Sequence, residues 1–320
     1  MREVILVFGG AGFIGTHLLR KLAATTDARL VSADHRQPKS PVDGVEYHVV
    51  DVRDLSGFKI EGPIRKIFNF TAVHTTPGHE AHEYYETNVL GATEVTAFAR
   101  RHGVRNLIFT SSISVYGASE ETKSETTPPN PNSAYGASKV LAERIHQAWL
   151  DEAEDRRLVI VRPGVIFGKG EGGNFTRLAA LLRRGFFVYP GRKDTIKACF
   201  YVGDLVDAML AVDALGERFV RFNGVYPDRY TIEQIIEAFR RKHFPRAKTY
   251  LVPRGVLMSI AAVLRPFSAI GLGIHPDRVM KLVRSTDIVP TWLESRGMAQ
   301  SGRLEAALDA WAEDSGGTFR

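Results

Sequence analysis

The sequence predicts an α/β fold, a doubly wound parallel sheet with a smaller, mixed C-terminal lobe. Three observations carry that prediction. Short β-branched runs alternate with helical patterns through the first half. A glycine-rich turn stands between the first such run and the first helical pattern. After Pro163 the rhythm breaks into glycine-rich loops and scattered short elements. Alternating strands and helices indicate βαβ units, whose parallel strands are covered by helices on both faces.

The elements follow in order. Val4 to Phe8 is a buried strand, and Ile14 to Ala24 carries apolar residues at helical spacing. Strands are expected at Arg29–Ala33, Val45–Val50, Lys66–Phe70, Asn106–Ser111 and Leu158–Arg162. Long helices are expected at Ala81–Arg101 and Ser133–Glu154. Beyond Pro163, the loop bearing Gly164, Gly168, Gly170, Gly172 and Gly173 leads to a helix at Phe175–Arg184 and a turn at Pro190-Gly191. Strands near Ala198–Tyr201 and Phe219–Asn223 flank a helix at Leu205–Ala214, and the amphipathic Leu304–Trp311 closes the chain. This pattern divides the chain into a nucleotide-binding domain, residues 1–163 plus 197–223, and a substrate lobe, residues 164–196 plus 224–320.

Composition narrows the classes. Of the 320 residues, 44% are hydrophobic and 24% charged, ordinary for a globular chain with a large core. The formal charge of +6 suits anionic small ligands and does not call for nucleic acid. One cysteine, Cys199, rules out a disulfide within the chain and points to a reducing, cytoplasmic setting. The N-terminal apolar run is too brief for a signal peptide. The stretch Val256–Ile274 is broken by Arg265 and Pro266 and carries Gly271 and Gly273, so buried lobe helices suit it better than a membrane span. A surface-lying membrane contact is the alternative there. No stable membrane insertion is expected.

Gly9-Gly10-Ala11-Gly12-Phe13-Ile14-Gly15 follows a strand and opens a helix, the setting in which such a turn binds a dinucleotide. Gly9 permits the tight turn, Gly12 admits a pyrophosphate, and Gly15 allows close helix–strand packing. The helix N-terminus at Phe13 and Ile14 offers free N–H groups to the phosphates. Asp34, 19 residues after Gly15, suits an adenosine ribose and repels a 2′-phosphate, which favours NAD over NADP. Arg36 stands nearby with the opposite charge. Asp51 and Val52 would lie beside the adenine, or form a plain strand-end turn.

Tyr135 and Lys139 share one helix face at i and i+4. A tyrosine with an ordinary pKa near 10 is a poor base at neutral pH, and a neighbouring ammonium lowers that value. Ser111 and Ser112 stand where a parallel strand ends, the place where such sheets hold ligands.

The sequence resembles the extended short-chain dehydrogenase/reductase family, in its sugar-nucleotide epimerase/dehydratase branch. The glycine turn, the serine segment Thr110–Gly117 and the Tyr135–Lys139 YxxxK pair carry the likeness. So do Phe70-Thr71-Ala72-Val73-His74, Asn88 in Thr87-Asn88-Val89, Arg162-Pro163-Gly164 and Tyr201-Val202-Gly203-Asp204. The likeness is strongest over residues 4–223. It implies a Rossmann domain, with Ser112, Tyr135 and Lys139 catalytic. It adds Phe70, Thr71, Ala72, Asn88, Ser111 and Pro163 to the cofactor contacts, beside Tyr135 and Lys139.

The resemblance also bears on the reaction. The 4,6-dehydratases of the branch carry Asp and Glu where this chain has Ile113 and Ser114, and decarboxylase relatives carry Glu at the Ser114 position. Their absence leaves oxidation or reduction at a sugar carbon. A 4-epimerase working through a 4-keto intermediate fits best, and a 4-keto reductase using external NAD(P)H is the alternative. A ketone or alcohol dehydrogenase acting on something other than a sugar, or a non-catalytic subunit, is a more distant reading. The implied substrate is a nucleoside-diphosphate sugar. Asn174 would contact its diphosphate, with Arg192 and Lys197 as further candidates and Arg278 and Arg284 in support. His74, Thr75, Thr76 and Ser114 would line the sugar pocket. Relatives pair through two long helices, so a homodimer through a four-helix contact of Ala81–Arg101 and Ser133–Glu154 is expected.

Overall fold

The computed structural model describes residues 2–75, 78–253 and 284–320. The Val256–Ile274 stretch, Thr76 and Arg278 lie outside the described residues.

Seven parallel strands form the central sheet: β1 (Val4–Phe8), β2 (Arg29–Asp34), β3 (Val45–Val49), β4 (Ile64–Asn69), β5 (Asn106–Thr110), β7 (Arg157–Pro163) and β11 (Phe219–Gly224). Their spatial order is β11-β7-β5-β4-β1-β2-β3. The chain winds outward from β1 to β3, then crosses back to β4 and winds the other way. The switch point therefore lies between β1 and β4, where doubly wound sheets bind their ligands.

Alternation of side chains along these strands feeds two cores. On one face, Leu6, Phe8, Ile67, Leu107 and Ile160 pack with Val95 and Phe98 of α3 (Gly91–Arg101) and Trp149 of α4 (Ala134–Asp151). On the other, Ile5, Val7, Phe68, Ile108 and Val161 pack with Leu18 and Leu22 of α1 (Phe13–Thr25) and Leu205 and Met209 of α6 (Val202–Ala214). This second core runs on without a break into the C-terminal lobe. There it takes in Phe175 of α5 (Asn174–Arg183), Phe239 of α7 (Ile232–Lys242) and Trp311 of α9 (Leu304–Asp314), after the short α8 (Thr291–Ser295).

Three short parallel pairs complete the architecture: β10 (Cys199–Tyr201) with β8 (Val165–Phe167), β12 (Lys248–Val252) with β9 (Phe186–Pro190), and β13 (Thr286–Ile288) with β6 (Ser119–Lys123). Two expectations are corrected here. The strand near Ala198 does not rejoin the central sheet; it pairs with β8 just beyond the end of β7. The expected helix Ala81–Arg101 is not continuous either. It runs as α2 (Ala81–Tyr85), a π-helical turn (Glu86–Leu90) and α3. Such π-turns tend to sit at functional sites, and this one carries Asn88.

Candidate active site

The glycine turn occupies the switch point. Gly9 has φ +78°, and a Cβ there would stand 2.9 Å from the Phe70 carbonyl carbon and the Thr71 nitrogen. Only a glycine lets β1 turn this close to the end of β4. Gly12 caps α1 with no side-chain hydrogen bond, and Gly15 rides against the Gly9 carbonyl. The first helical residues, Phe13 and Ile14, thus begin a helix that no side chain caps. Asp34, buried at the end of β2, accepts from the Ala11 N–H at 3.1 Å and from the Arg36 N–H at 3.3 Å. The ribose-type acid is therefore locked to the glycine turn itself. Phe70 donates its N–H to Phe8 at 2.9 Å, and the Thr71 hydroxyl donates to Asn69 at 2.6 Å. Ala72 follows, half-buried, and Pro163 ends β7 opposite Gly224. Ser111 Oγ is buried and has no hydrogen-bond partner among the described residues. An uncapped helix start, a held acid and an orphaned hydroxyl fit a dinucleotide.

Asp51 is spoken for locally. Arg53 donates to its carboxylate from Nε and Nη2, at 2.6–3.0 Å, and holds that carboxyl below its usual range. The strand-end turn is therefore present, and Val52 is buried against Gly91.

The catalytic candidates converge at the C-terminal end of β5 and the first turn of α4. Ser112, extended at φ −166°, caps a 3-10 turn over Ile113–Tyr116. Its Oγ accepts from the Ser114 N–H at 3.1 Å and donates to Ser114 Oγ at 3.1 Å. Ser133 caps α4 by accepting from the Gly136 N–H at 3.1 Å, which sets Tyr135 in the opening turn. Gly136 makes the approach possible, since a Cβ there would lie 2.4 Å from the Ser114 carbonyl oxygen. The Gly136–Ser114 contact thus brings the opening turn of α4, which carries Tyr135, against the serine turn.

Lys139, one turn along, is buried. Its Nζ donates to the Thr110 carbonyl at 2.7 Å and sits 4.7 Å above the Phe109 ring. Burial pulls its pKa down to about 7, against the opposing charge of Glu143. Burial likewise pushes the Tyr135 phenol up to about 12, with Ser112 opposing. In the protein without ligands, desolvation favours the neutral form of both groups.

Asn88 braces the site. Its side-chain amide donates to the Val73 carbonyl at 3.1 Å and to Ser138 Oγ at 2.9 Å, and its Oδ1 accepts from the Val73 N–H at 2.9 Å. It thus ties the 70–75 segment to the helix carrying Tyr135 and Lys139. His74, within this segment, is exposed. Asn174 opens α5 at the surface. Arg192 is committed to Asp194 at 2.7 Å and Glu120 at 3.0 Å. Lys197 donates to the Arg284 carbonyl at 2.6 Å, and burial brings it to about 8. Glu120 bears on both cations, so Arg192 and Lys197 form one cluster beside β6 and β13.

Three contributors escape the motif reading. Tyr84 packs 6.1 Å from Tyr135, ring to ring, and donates to the Thr75 carbonyl at 2.6 Å. It stands four residues before Asn88, on the same helix face, which is the signal that marks it. Glu143 grips Arg162 through two hydrogen bonds of 2.8 and 2.6 Å, and Arg162 donates to the Tyr116 hydroxyl at 2.8 Å. Tyr116 in turn donates to Asn223 at 2.8 Å. This buried network joins α4, β7, the serine turn and β11 beneath the site.

Comparison with known proteins places this geometry. The family described as NAD dependent epimerase/dehydratase matches residues 5–223. The chain is 33% identical over 322 residues to N-acetyl-alpha-D-glucosaminyl-diphospho-ditrans,octacis-undecaprenol 4-epimerase of Escherichia coli O157:H7, covering 97% of this chain and 94% of that protein. It is 31% identical to UDP-glucose 4-epimerase of Vibrio cholerae, over 58% of each chain. In fold it is similar to the UDP-glucose 4-epimerase of Thermus thermophilus in complex with NAD, with a TM-score of 0.71, 21% identity and coverage of 97% and 99%.

Proposed function

Because the chain belongs to the NAD dependent epimerase/dehydratase family, we propose that it inverts C4 of a sugar carried on a diphosphate, through Ser112, Tyr135 and Lys139. NAD is the cofactor. When bound, it supplies a reversible hydride acceptor. The observation that carries the reading is the convergence of Ser112 at the end of β5 with Tyr135 and the buried Lys139 on the opening turns of α4, at the C-terminal edge of the sheet. Tyr135 would take the proton of the C4 hydroxyl as C4 is oxidised. Ser112 holds the C4 oxygen, and Ser114 holds Ser112. The 4-keto sugar would turn over and be reduced on its other face, with Tyr135 giving the proton back. Atoms and electrons balance without external reductant, which separates this reading from a 4-keto reductase.

For the carrier, the nucleoside diphosphate implied by the sequence has a specific rival. The E. coli relative, whose name gives a polyprenyl-diphosphate carrier, matches 97% of this chain, against 58% for the V. cholerae UDP-glucose enzyme. A polyprenyl-diphosphate sugar is the second reading. Purified protein is incubated with UDP-glucose, UDP-N-acetylglucosamine and polyprenyl-diphospho-N-acetylglucosamine, and the epimers are separated. Epimer formation without net NADH change is expected. Stoichiometric NADH consumption on a 4-keto sugar, with no epimer from any carrier, overturns the reading.

A homodimer through α2–α3 and α4 belongs to this proposal. It is supported by exposed Tyr85, Leu90 and Leu141 on the outer faces of those packed helices. A cytoplasmic setting suits the buried, unpaired Cys199 thiol.

A further inference from the structure

The β9–β12 ribbon of the C-terminal lobe carries an apolar face that nothing among the described residues covers. In its parallel register Phe186 lies beside Lys248, and Val188 beside Tyr250. Phe187 and Tyr189 alternate inward and are buried. The outer face therefore shows Phe186 at 43%, Val188 at 36% and Tyr250 at 52% exposure, with Leu251 at 49% on the free edge. Clustered exposed apolar side chains of this kind mark a contact surface.

Charge selects the partner. The two strands come from stretches that hold no acid. Of the cations in the acid-free stretches 172–193 and 238–253, Arg192, Lys193, Arg240, Arg241 and Lys242 are paired with acids from outside them, Asp194 and Glu120, Glu233, Glu237, Glu305 and Asp309. Arg184, Arg246 and Lys248 are exposed and form no ion pair with a described residue. Aromatic and aliphatic side chains flanked by the unpaired cations Arg184, Arg246 and Lys248 match the interface of an anionic bilayer, where aromatic rings seat at headgroup depth and cations meet lipid phosphates. A protein partner of that shape would need a matching acidic rim, whereas a second copy of this face would set cation against cation.

We propose that this ribbon is a peripheral membrane-contact surface that seats the protein on anionic lipid. The proposal goes beyond the reaction assigned above and stands on the ribbon alone, although a lipid-carried substrate would be delivered at such a surface.

The test is sedimentation of the full chain with phosphatidylcholine vesicles containing or lacking phosphatidylglycerol. The wild type should pellet with the anionic vesicles only, and release as salt is raised. Arg184→Gln combined with Lys248→Gln should lower the partition coefficient about 30-fold, since each surface cation contributes about five-fold. Phe186→Ser combined with Tyr250→Ser should lower it at low salt also. Melting temperature and NAD binding of each variant report folding independently of epimerase activity. Tyr250→Trp gives a second readout that truncates nothing: its emission should be quenched by brominated lipid in anionic vesicles. Failure of the wild type to pellet, equal pelleting of wild type and variants, or unquenched emission from the Tyr250→Trp variant overturns the proposal. So does a wild-type dimer that the Phe186→Ser, Tyr250→Ser pair dissolves, which would assign the face to a second copy.

Discussion

Replacing Lys139 by methionine should stabilise the cofactor-stripped protein while abolishing turnover, and the gain should fade as pH rises. The lysine is almost fully buried, and burial takes its pKa from 10.5 to about 7. That drop is worth about 5 kcal/mol of disfavoured charge. The sign follows from linkage. Below the folded value the buried group must carry its charge, and the full penalty applies. Between pH 7 and 10.5 the penalty falls by about 1.4 kcal/mol per pH unit, as the unfolded chain holds a proton that the folded chain has shed. Methionine removes the penalty and fills similar volume, but strands the Thr110 carbonyl that now accepts at 2.7 Å, at about 1–3 kcal/mol. The net expectation is a variant about 2–4 kcal/mol more stable at about pH 6.5 and level or up to about 2 kcal/mol less stable at about pH 9.5. Chemical denaturation of both proteins at the two pH values measures this. A stability difference that is the same at both pH values, or a variant weaker at the lower one, refutes the argument that Lys139 is held in a strained ionisation state.

Tyr135→Phe should cost about 10²–10⁴-fold in kcat and leave NAD affinity within a factor of a few, by fluorescence titration; retained turnover removes Tyr135 from the chemistry. Gly136→Ala pushes a methyl group to 2.4 Å from the Ser114 carbonyl oxygen, so the turn must move, with about 1–3 kcal/mol lost in denaturation and kcat reduced more than KM changes. Arg162→Met leaves the buried Glu143 carboxylate unpaired and should destabilise by about 3–5 kcal/mol; a loss under about 1 kcal/mol would show that the network is incidental. Asp34→Ala should weaken NAD binding about 10- to 150-fold and narrow the preference over NADP, read by titration with both cofactors.

The parts legible in the sequence share one physical property: their signal is local. The strand–glycine–helix order around Gly9 to Gly15, the i,i+4 spacing of Tyr135 and Lys139 and the β-branched runs of the sheet are each decided within a few residues. The illegible parts depend on contacts between distant segments. The strand at Cys199 looks like a sheet strand because it is short and apolar, but its partner, Val165–Phe167, is hidden in a glycine-rich loop. The π-turn at Glu86–Leu90 leaves no mark on periodicity; it turns Asn88 toward Val73 and Ser138, residues 15 and 50 positions away. Arg192 reads as an anion grip until Glu120, from a strand 72 positions earlier, is seen to hold it. Ionisation is the least legible property of all, because burial depends on the whole fold.

That last point bears on how such a site works. An i,i+4 tyrosine and lysine imply an ion pair when read as a spacing, yet the folded protein drives the phenol up to about 12 and the amine down to about 7. A pair kept near neutrality by desolvation has no standing base to abstract protons from water. Basicity has to come from a charge that enters with the ligands, so ionisation of Tyr135 is coupled to their binding rather than present beforehand. A direct consequence is that the ultraviolet spectra of stripped wild type and stripped Tyr135→Phe should show the same tyrosinate signal up to about pH 10. On NAD addition, an ionisation step should appear at lower pH in wild type and be missing from Tyr135→Phe. A tyrosinate signal at neutral pH without cofactor would mean that Lys139 acidifies Tyr135 unaided, and the desolvation account of the site would fall.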